Sequence, residues 1–213
     1  VNIVVGIRSI ADKNELALEK YRRFIDRVWD KPGFWTMSRR SKPAMSRMLD
    51  YLSSTRLKNY LNPGFDGYVT ILNRLSDPPN STRGDDSVYL RFKTEDLPEV
   101  KKLCSTLALY ASSFNAYQAF VTTEDLYRAN PIVERRSTIK FIHPITFWSK
   151  QFCTSALKLT PHQIGDAIGD HVTHCTVRKS YITFAANCEF DDLASTKRLT
   201  RAILASLKAS RTK

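Results

Sequence analysis

The run from His171 to Lys208 constrains this chain most. Val172 to Val177 and Tyr181 to Ala186 are rich in β-branched and aromatic residues, and Arg178-Lys179-Ser180 between them is short enough for a hairpin loop. Asn187 to Asp192 breaks that pattern. Leu193, Leu199, Ile203 and Leu207 then fall on one helical face, with Thr196 and Ala202 at its edge. Asp191 and Asp192 at the start of this helix and Lys208 near its end complement the helix dipole. One hairpin and one helix cannot enclose a core, so another layer must cover them.

The same order occurs earlier. Gly67 to Leu75 is β-rich, Asp77 to Asp86 is a long turn-forming loop, and Val88, Leu90 and Phe92 alternate with Tyr89, Arg91 and Lys93 as on a strand with one buried face. Leu97, Val100, Leu103, Leu107 and Tyr110 then mark a helix. The chain therefore reads as α+β: antiparallel sheet with packed helices, in two topologically related halves, each with a hairpin followed by a helix. The repeat is one of topology, not of sequence. Its 213 residues suit a single compact domain, or two intimate halves, 1–113 and 114–213.

Other elements follow from local signals. Asn2 to Ile7 is an apolar run suited to a buried strand. The chain enters that strand at once, which suggests that little precedes it, although Val1 is not a Met and leaves processing open. Asp12-Lys13-Asn14-Glu15 resembles a capping box, and Leu18, Tyr21, Phe24, Ile25, Val28 and Trp29 line a helix to about Asp30. Pro43 opens a further helix with Ala44, Met45, Met48, Leu49 and Leu52 on its apolar face. Tyr117 to Thr122 reads as a strand, Thr123 to Tyr127 as one helical turn, and Ser137 to His143 as a strand ended by Pro144, with Phe147-Trp148 closing a hydrophobic layer. Thr160-Pro161-His162-Gln163 predicts a capped helix ending near Gly169.

Charge and cysteines bound the function. Lys and Arg total 33 against 21 Asp and Glu, for a net +12. Up to Phe114 there are 19 basic and 13 acidic residues, and after it 14 and 8. The excess is spread rather than gathered in a nucleic-acid-binding arm, which favours solubility or an acidic partner surface. No apolar run approaches the ~20 residues of a membrane helix. Cys104, Cys153, Cys175 and Cys188 lie far apart without CxxC spacing. They read as reduced, buried thiols of a cytoplasmic protein, with two disulfides of an exported protein as the lesser alternative.

No catalytic motif stands out. His171 and His174 would share a helical face, but on a strand they point apart and cannot hold one metal ion. GxSxG, phosphate-loop, HExxH and dinucleotide fingerprints do not occur. Asp85-Asp86 and Asp191-Asp192 are explained by turn and capping roles. The expectation is a protein without catalytic residues, metal or cofactor. The most interaction-like stretch is Phe34 to Lys42, two large aromatics beside a basic cluster. Trp35 with Phe34 is a candidate anchor, and Arg39, Arg40 and Lys42 would steer an acidic face. Tyr89, Arg91 and Lys93 form the outward face of a strand, an ordinary solvent face that could also bind RNA.

Several of these features, in order, resemble a family of immunity proteins from bacterial polymorphic-toxin systems. It is the family paired with nuclease toxins of the restriction-endonuclease fold, some of them delivered by type VI secretion. Gly6-Ile7-Arg8 ends a first strand and leads into a helix with Tyr21, Phe24 and Ile25. Phe34-Trp35 follows, a strand pair runs from Gly67 to Phe92, and Tyr181 to Ala185 runs into Phe190-Asp191-Asp192 and a closing helix. The resemblance implies a non-catalytic α+β protein that binds and neutralises one cognate toxin, a nuclease, in the cytoplasm of the producing cell. It brings no functional residues with it. The alternatives are a nucleic-acid-binding protein, suggested by the net charge, and a hydrolase using Cys153, Cys175, His171 or His174.

Overall fold

The computed structural model describes residues 1–12, 14–30, 52–57, 61, 65–72, 85–93, 99–129, 136 and 139–212. In chain order the elements are β1 (Asn2–Ser9), α1 (Asn14–Asp30), β2 (Leu52–Arg56), β3 (Phe65–Leu72), β4 (Asp86–Lys93), α2 (Val100–Ser113), β5 (Gln118–Thr123), α3 (Glu124–Ala129), β6 (Ile145–Ser149), α4 (Lys150–Phe152), α5 (Pro161–Ile168), β7 (Val172–Val177), β8 (Tyr181–Ala186) and α6 (Leu193–Ser210). A π-helical segment, Cys153–Leu157, continues α4. Among the described residues the strands form one eight-stranded sheet in the order β2-β3-β4-β1-β5-β6-β8-β7. Every pairing is antiparallel. The fold is α+β, as the sequence predicts.

Both hairpin–helix units are present: β3–β4 leads to α2, and β7–β8 leads to α6. They meet at β5, which pairs with β1 on one side and β6 on the other. Outward from β5 the order is β1-β4-β3 in one direction and β6-β8-β7 in the other. Since β1 and β6 are both antiparallel to β5, they run parallel to each other. Two units so related are exchanged by turning the sheet over about β5, which sends their helices to opposite faces.

The packing bears this out. On the first face, Ala17, Tyr21, Phe24, Ile25 and Val28 of α1 and Leu103, Leu107, Tyr110 and Ala111 of α2 pack on Ile3, Val5 and Ile7 of β1 and on Val88, Leu90 and Phe92 of β4. The same core takes Ala119 and Val121 of β5, Ile145 and Phe147 of β6 and Ala185 of β8, so it runs through the middle of the sheet. On the second face, Ile164 and Ile168 of α5 and Ile203 and Leu207 of α6 pack on Trp148, Ile182 and Phe184. Strand β5 is buried along its whole length because both faces are covered at the centre.

Lys20 ties α1 to the sheet. This buried lysine donates to Asp86 Oδ2 at 2.8 Å and to the Ile10 carbonyl at 2.7 Å, and pairs with Asp12 at 2.6 Å. Asp85 accepts from the Tyr117 hydroxyl and pairs with Arg136. The paired acids expected to serve turns are thus the carboxylates of a buried and a half-buried ion pair.

Two expectations are corrected. Leu52 is not on a helix; it opens β2, where it pairs with Leu72. Residues 139–143 do not form a strand. Ile139, Phe141 and Ile142 are buried, but the Ile142 amide donates to the Thr200 hydroxyl of α6 instead of to a neighbouring strand. The strand begins after Pro144, at Ile145, so Phe147 and Trp148 belong to β6 and face opposite sides. Two local signals hold: Thr160 and Gln163 form a reciprocal capping box on α5, and the Asp192 side chain caps α6.

Candidate partner-binding face

On the second face, the first half of the sheet has no helix comparable to α5 and α6 among the described residues. There β3 and β4 turn Tyr68 and Tyr89 outward, directly opposite each other in register. The side-chain alternation of a strand dictates this: Val69 and Ile71 face the core, so Tyr68 must face away. The two rings stack at 5.2 Å between centroids with 19° between planes. Tyr127 of α3 lies 5.8 Å from Tyr89 and 6.1 Å from Phe120. Phe120 in turn stacks on His143 at 4.2 Å. An aromatic row therefore crosses the sheet, from Tyr68, 42% exposed, to a buried end at His143.

Gly6 lets the row cross β1. A Cβ at this position would collide with the Phe120 ring, so no other residue fits beneath it. At the buried end neither His143 ring nitrogen has a hydrogen-bond partner among the described residues. Burial, with a smaller contribution from Arg8, lowers its pKa to about 3. The ring is neutral and serves as a flat packing surface. At the open end, burial first and Tyr127 second raise the Tyr68 and Tyr89 phenols above their ordinary value. Both hydroxyls therefore stay protonated and can donate.

Cations frame the open end. Arg56 pairs with Asp66 at 3.0 Å, and Glu124 accepts from Arg91 at 3.3 Å and from Arg128 at 2.7 Å. In each pair the guanidinium is the outer partner. The side chains of Arg56, Arg91 and Arg128 are 70, 49 and 71% exposed, against 34% for Asp66 and 12% for Glu124. Exposed Lys93 extends the same strand face. This surface presents positive groups around tyrosine rings.

Of the residues singled out from sequence, Tyr89, Arg91 and Lys93 lie on this face as the alternation predicts. Phe34, Trp35, Arg39, Arg40 and Lys42 lie outside the described residues. Tyr68, Arg56 and Tyr127 were missed. The run Gly67-Tyr68-Val69-Thr70-Ile71 carries the signal for Tyr68, since it alternates about the buried Val69 and Ile71.

The other chemically capable side chains do not converge. His171 Nε2 lies 3.0 Å from the Ser206 hydroxyl, and His174 Nε2 lies 3.3 Å from the Thr176 hydroxyl. The four cysteines are free. Burial pushes the Cys104 and Cys153 thiols up to about 12 and raises those of Cys175 and Cys188, the opposite of what a nucleophilic thiolate needs. No group of three or more metal-ligating side chains occurs among the described residues, and none of the described helices is long and apolar enough to cross a membrane.

No protein-family model and no curated protein matches the chain. Among solved structures, the regulatory subunit of aspartate kinase from Thermus flavus aligns over 99% of this chain and 92% of its own, with 7% identity and a TM-score of 0.23.

Proposed function

We propose that this chain is an immunity protein, which binds and neutralises a cognate secreted bacterial toxin in the cytoplasm of the producing cell. The toxin implied by the resemblance is a nuclease, of the kind delivered by type VI secretion among other routes. Action is by binding, without catalysis or cofactor. The observation that carries the reading is the exposed tyrosine–arginine surface on a rigid sheet, because tyrosine and arginine dominate protein-interface hot spots. Strands β3 and β4 hold Tyr68, Tyr89 and Arg91 in fixed positions, which lowers the entropy lost on docking. The test is co-expression with the toxin encoded beside this gene. Cells carrying an active toxin should survive only when this chain is present. Survival that does not depend on the chain removes the reading.

A second reading, nucleic-acid binding, is favoured by the net charge of +12 and by the outward guanidinium groups. It predicts an affinity that falls steeply with salt as phosphates displace counterions. Mobility shifts with DNA and RNA at two salt concentrations test it, and the absence of a shift at low salt removes it.

A further inference from the structure

Resting on the immunity reading, we infer that the Tyr68–Tyr89 row, with Arg56, Arg91 and Arg128, is the docking surface for an acidic face of the toxin, and that it is not a base-stacking platform. Two observations carry this. The first is charge layering. Asp66 is half as exposed as its guanidinium partner, and Glu124 is nearly buried beside two guanidinium groups that reach solvent. An approaching surface meets cations first, so the complementary partner is anionic. The second is the direction of the ring faces. Two rings 5.2 Å apart and 19° from parallel face each other. Lying flat on the sheet side by side, they would need a wider separation. The inner faces of Tyr68 and Tyr89 are therefore occupied by one another, and Tyr127 lies against Tyr89. What the pair leaves to a partner is ring edge, hydroxyl and the outer face of Tyr68.

A nucleic-acid platform works the other way: it lays ring faces open so that bases can stack on them. Ring edges and protonated phenols among guanidinium groups suit side-chain and main-chain carbonyl oxygens and carboxylates of a folded protein. Such a surface also has no means of copying nucleic acid, since a mimic of that ligand would present negative charge. The inference therefore places inhibition on an acidic region of the toxin outside any cationic substrate groove.

The experiment uses the full chain and the purified toxin domain encoded beside its gene, with binding kinetics followed at low and physiological salt. Arg91→Glu with Arg128→Glu should slow association about tenfold or more at low salt, with the gap narrowing as salt rises. Tyr68→Ala should speed dissociation by at least tenfold with little effect on association. Tyr68→Phe, which keeps the ring stack, covers the case in which Tyr68→Ala does not fold, and should also speed dissociation. A charge-matched control, Arg22→Glu with Arg27→Glu on the exposed side of α1, should bind as the parent does. If the toxin binds and every β3–β4 and α3 variant behaves like the control, the docking inference fails and the immunity reading stands. If the toxin does not bind the parent chain, both fall. Fluorescein-labelled oligo-dT and oligo-rU provide the other arm: tight binding at low salt that Tyr68→Ala abolishes would overturn the assignment to a protein partner.

Discussion

The two halves of the sheet share a topology and differ in what covers them. In the second half, α5 and α6 close the second face over Trp148, Ile182 and Phe184. In the first half, α1 and α2 close the first face, and the opposite side of β3 and β4 carries Tyr68, Arg91 and Lys93 into solvent. The cause lies in the chain path. Strands β1 and β6 run parallel on either side of β5, so the helices that follow equivalent strands leave on opposite sides. A sheet built this way covers its centre twice and leaves the outer part of each half with its helices on one face. That lends the molecule a rigid, exposed β-surface without sacrificing the core at β5.

The comparison breaks most visibly at Asp86. It neutralises Lys20, the buried cation that fastens α1 to the first half, while in the second half α5 and α6 pack on the sheet through Ile164, Ile168, Ile203 and Leu207. Asp86→Ala removes the buried one of two carboxylates on the Lys20 ammonium, leaving Asp12 and the Ile10 carbonyl, and should cost about 3 kcal/mol, or a fall in Tm of roughly 6–10 °C. Lys20→Met with Asp86→Leu should restore most of that loss. A thermal melt of the single and double variants checks both, and equal melting of all three would show that α1 is held by its apolar face alone.

Next comes the buried end of the aromatic row. His143 titrates near 6.5 when unfolded and at about 3 in the fold. The unfolded chain therefore takes up a proton that the folded one refuses. Above pH 6.5 this costs nothing; from 6.5 down towards 3, stability should fall by roughly 1 kcal/mol per pH unit from this group. His143→Leu should flatten that part of the profile relative to the parent. Urea midpoints between pH 4 and 7 measure the difference, and parallel profiles would mean that His143 opens to water.

The second half was the more legible in sequence, for physical reasons. Its hairpin bounds, the Thr160–Gln163 box and the Asp192 cap follow from signals within a few residues of each other. Strand β2, Leu-Ser-Ser-Thr-Arg, is paired on one side only among the described residues, and its sequence has no alternation to mark it. Strand β6 is buried on both faces and lies directly after a proline, so alternation fails there too. The run at 139–143 mimics a strand because Ile139 and Phe141 alternate, yet its backbone is satisfied by the Thr200 hydroxyl of α6, a partner about 60 residues away. The candidate face was half legible. Alternation in β4 gives Tyr89 and Arg91, but the register that sets Tyr68 beside Tyr89 depends on a pairing between strands that are well separated in sequence. Thr160→Ala removes one half of the local box in the second half and should cost about 1 kcal/mol, a loss that a chemical melt resolves.

The smallest expected effect on stability distinguishes an interaction surface from a structural one. Tyr68 is opposite Tyr89, and cross-strand aromatic pairs contribute roughly 0.2–1 kcal/mol. Tyr68 is also the most exposed ring of the row, so Tyr68→Ala uncovers little apolar area and should lower stability by less than about 1 kcal/mol. Phe120→Ala, at the buried end of the same row, should cost roughly 3–5 kcal/mol. A ring that the fold can lose so cheaply, on a surface framed by outward arginines, is one whose contribution falls on a partner. If Tyr68→Ala instead destabilises the fold as much as Phe120→Ala does, the row is core from end to end. The two halves would then differ only in which residues cover them, not in what one of them is left free to bind.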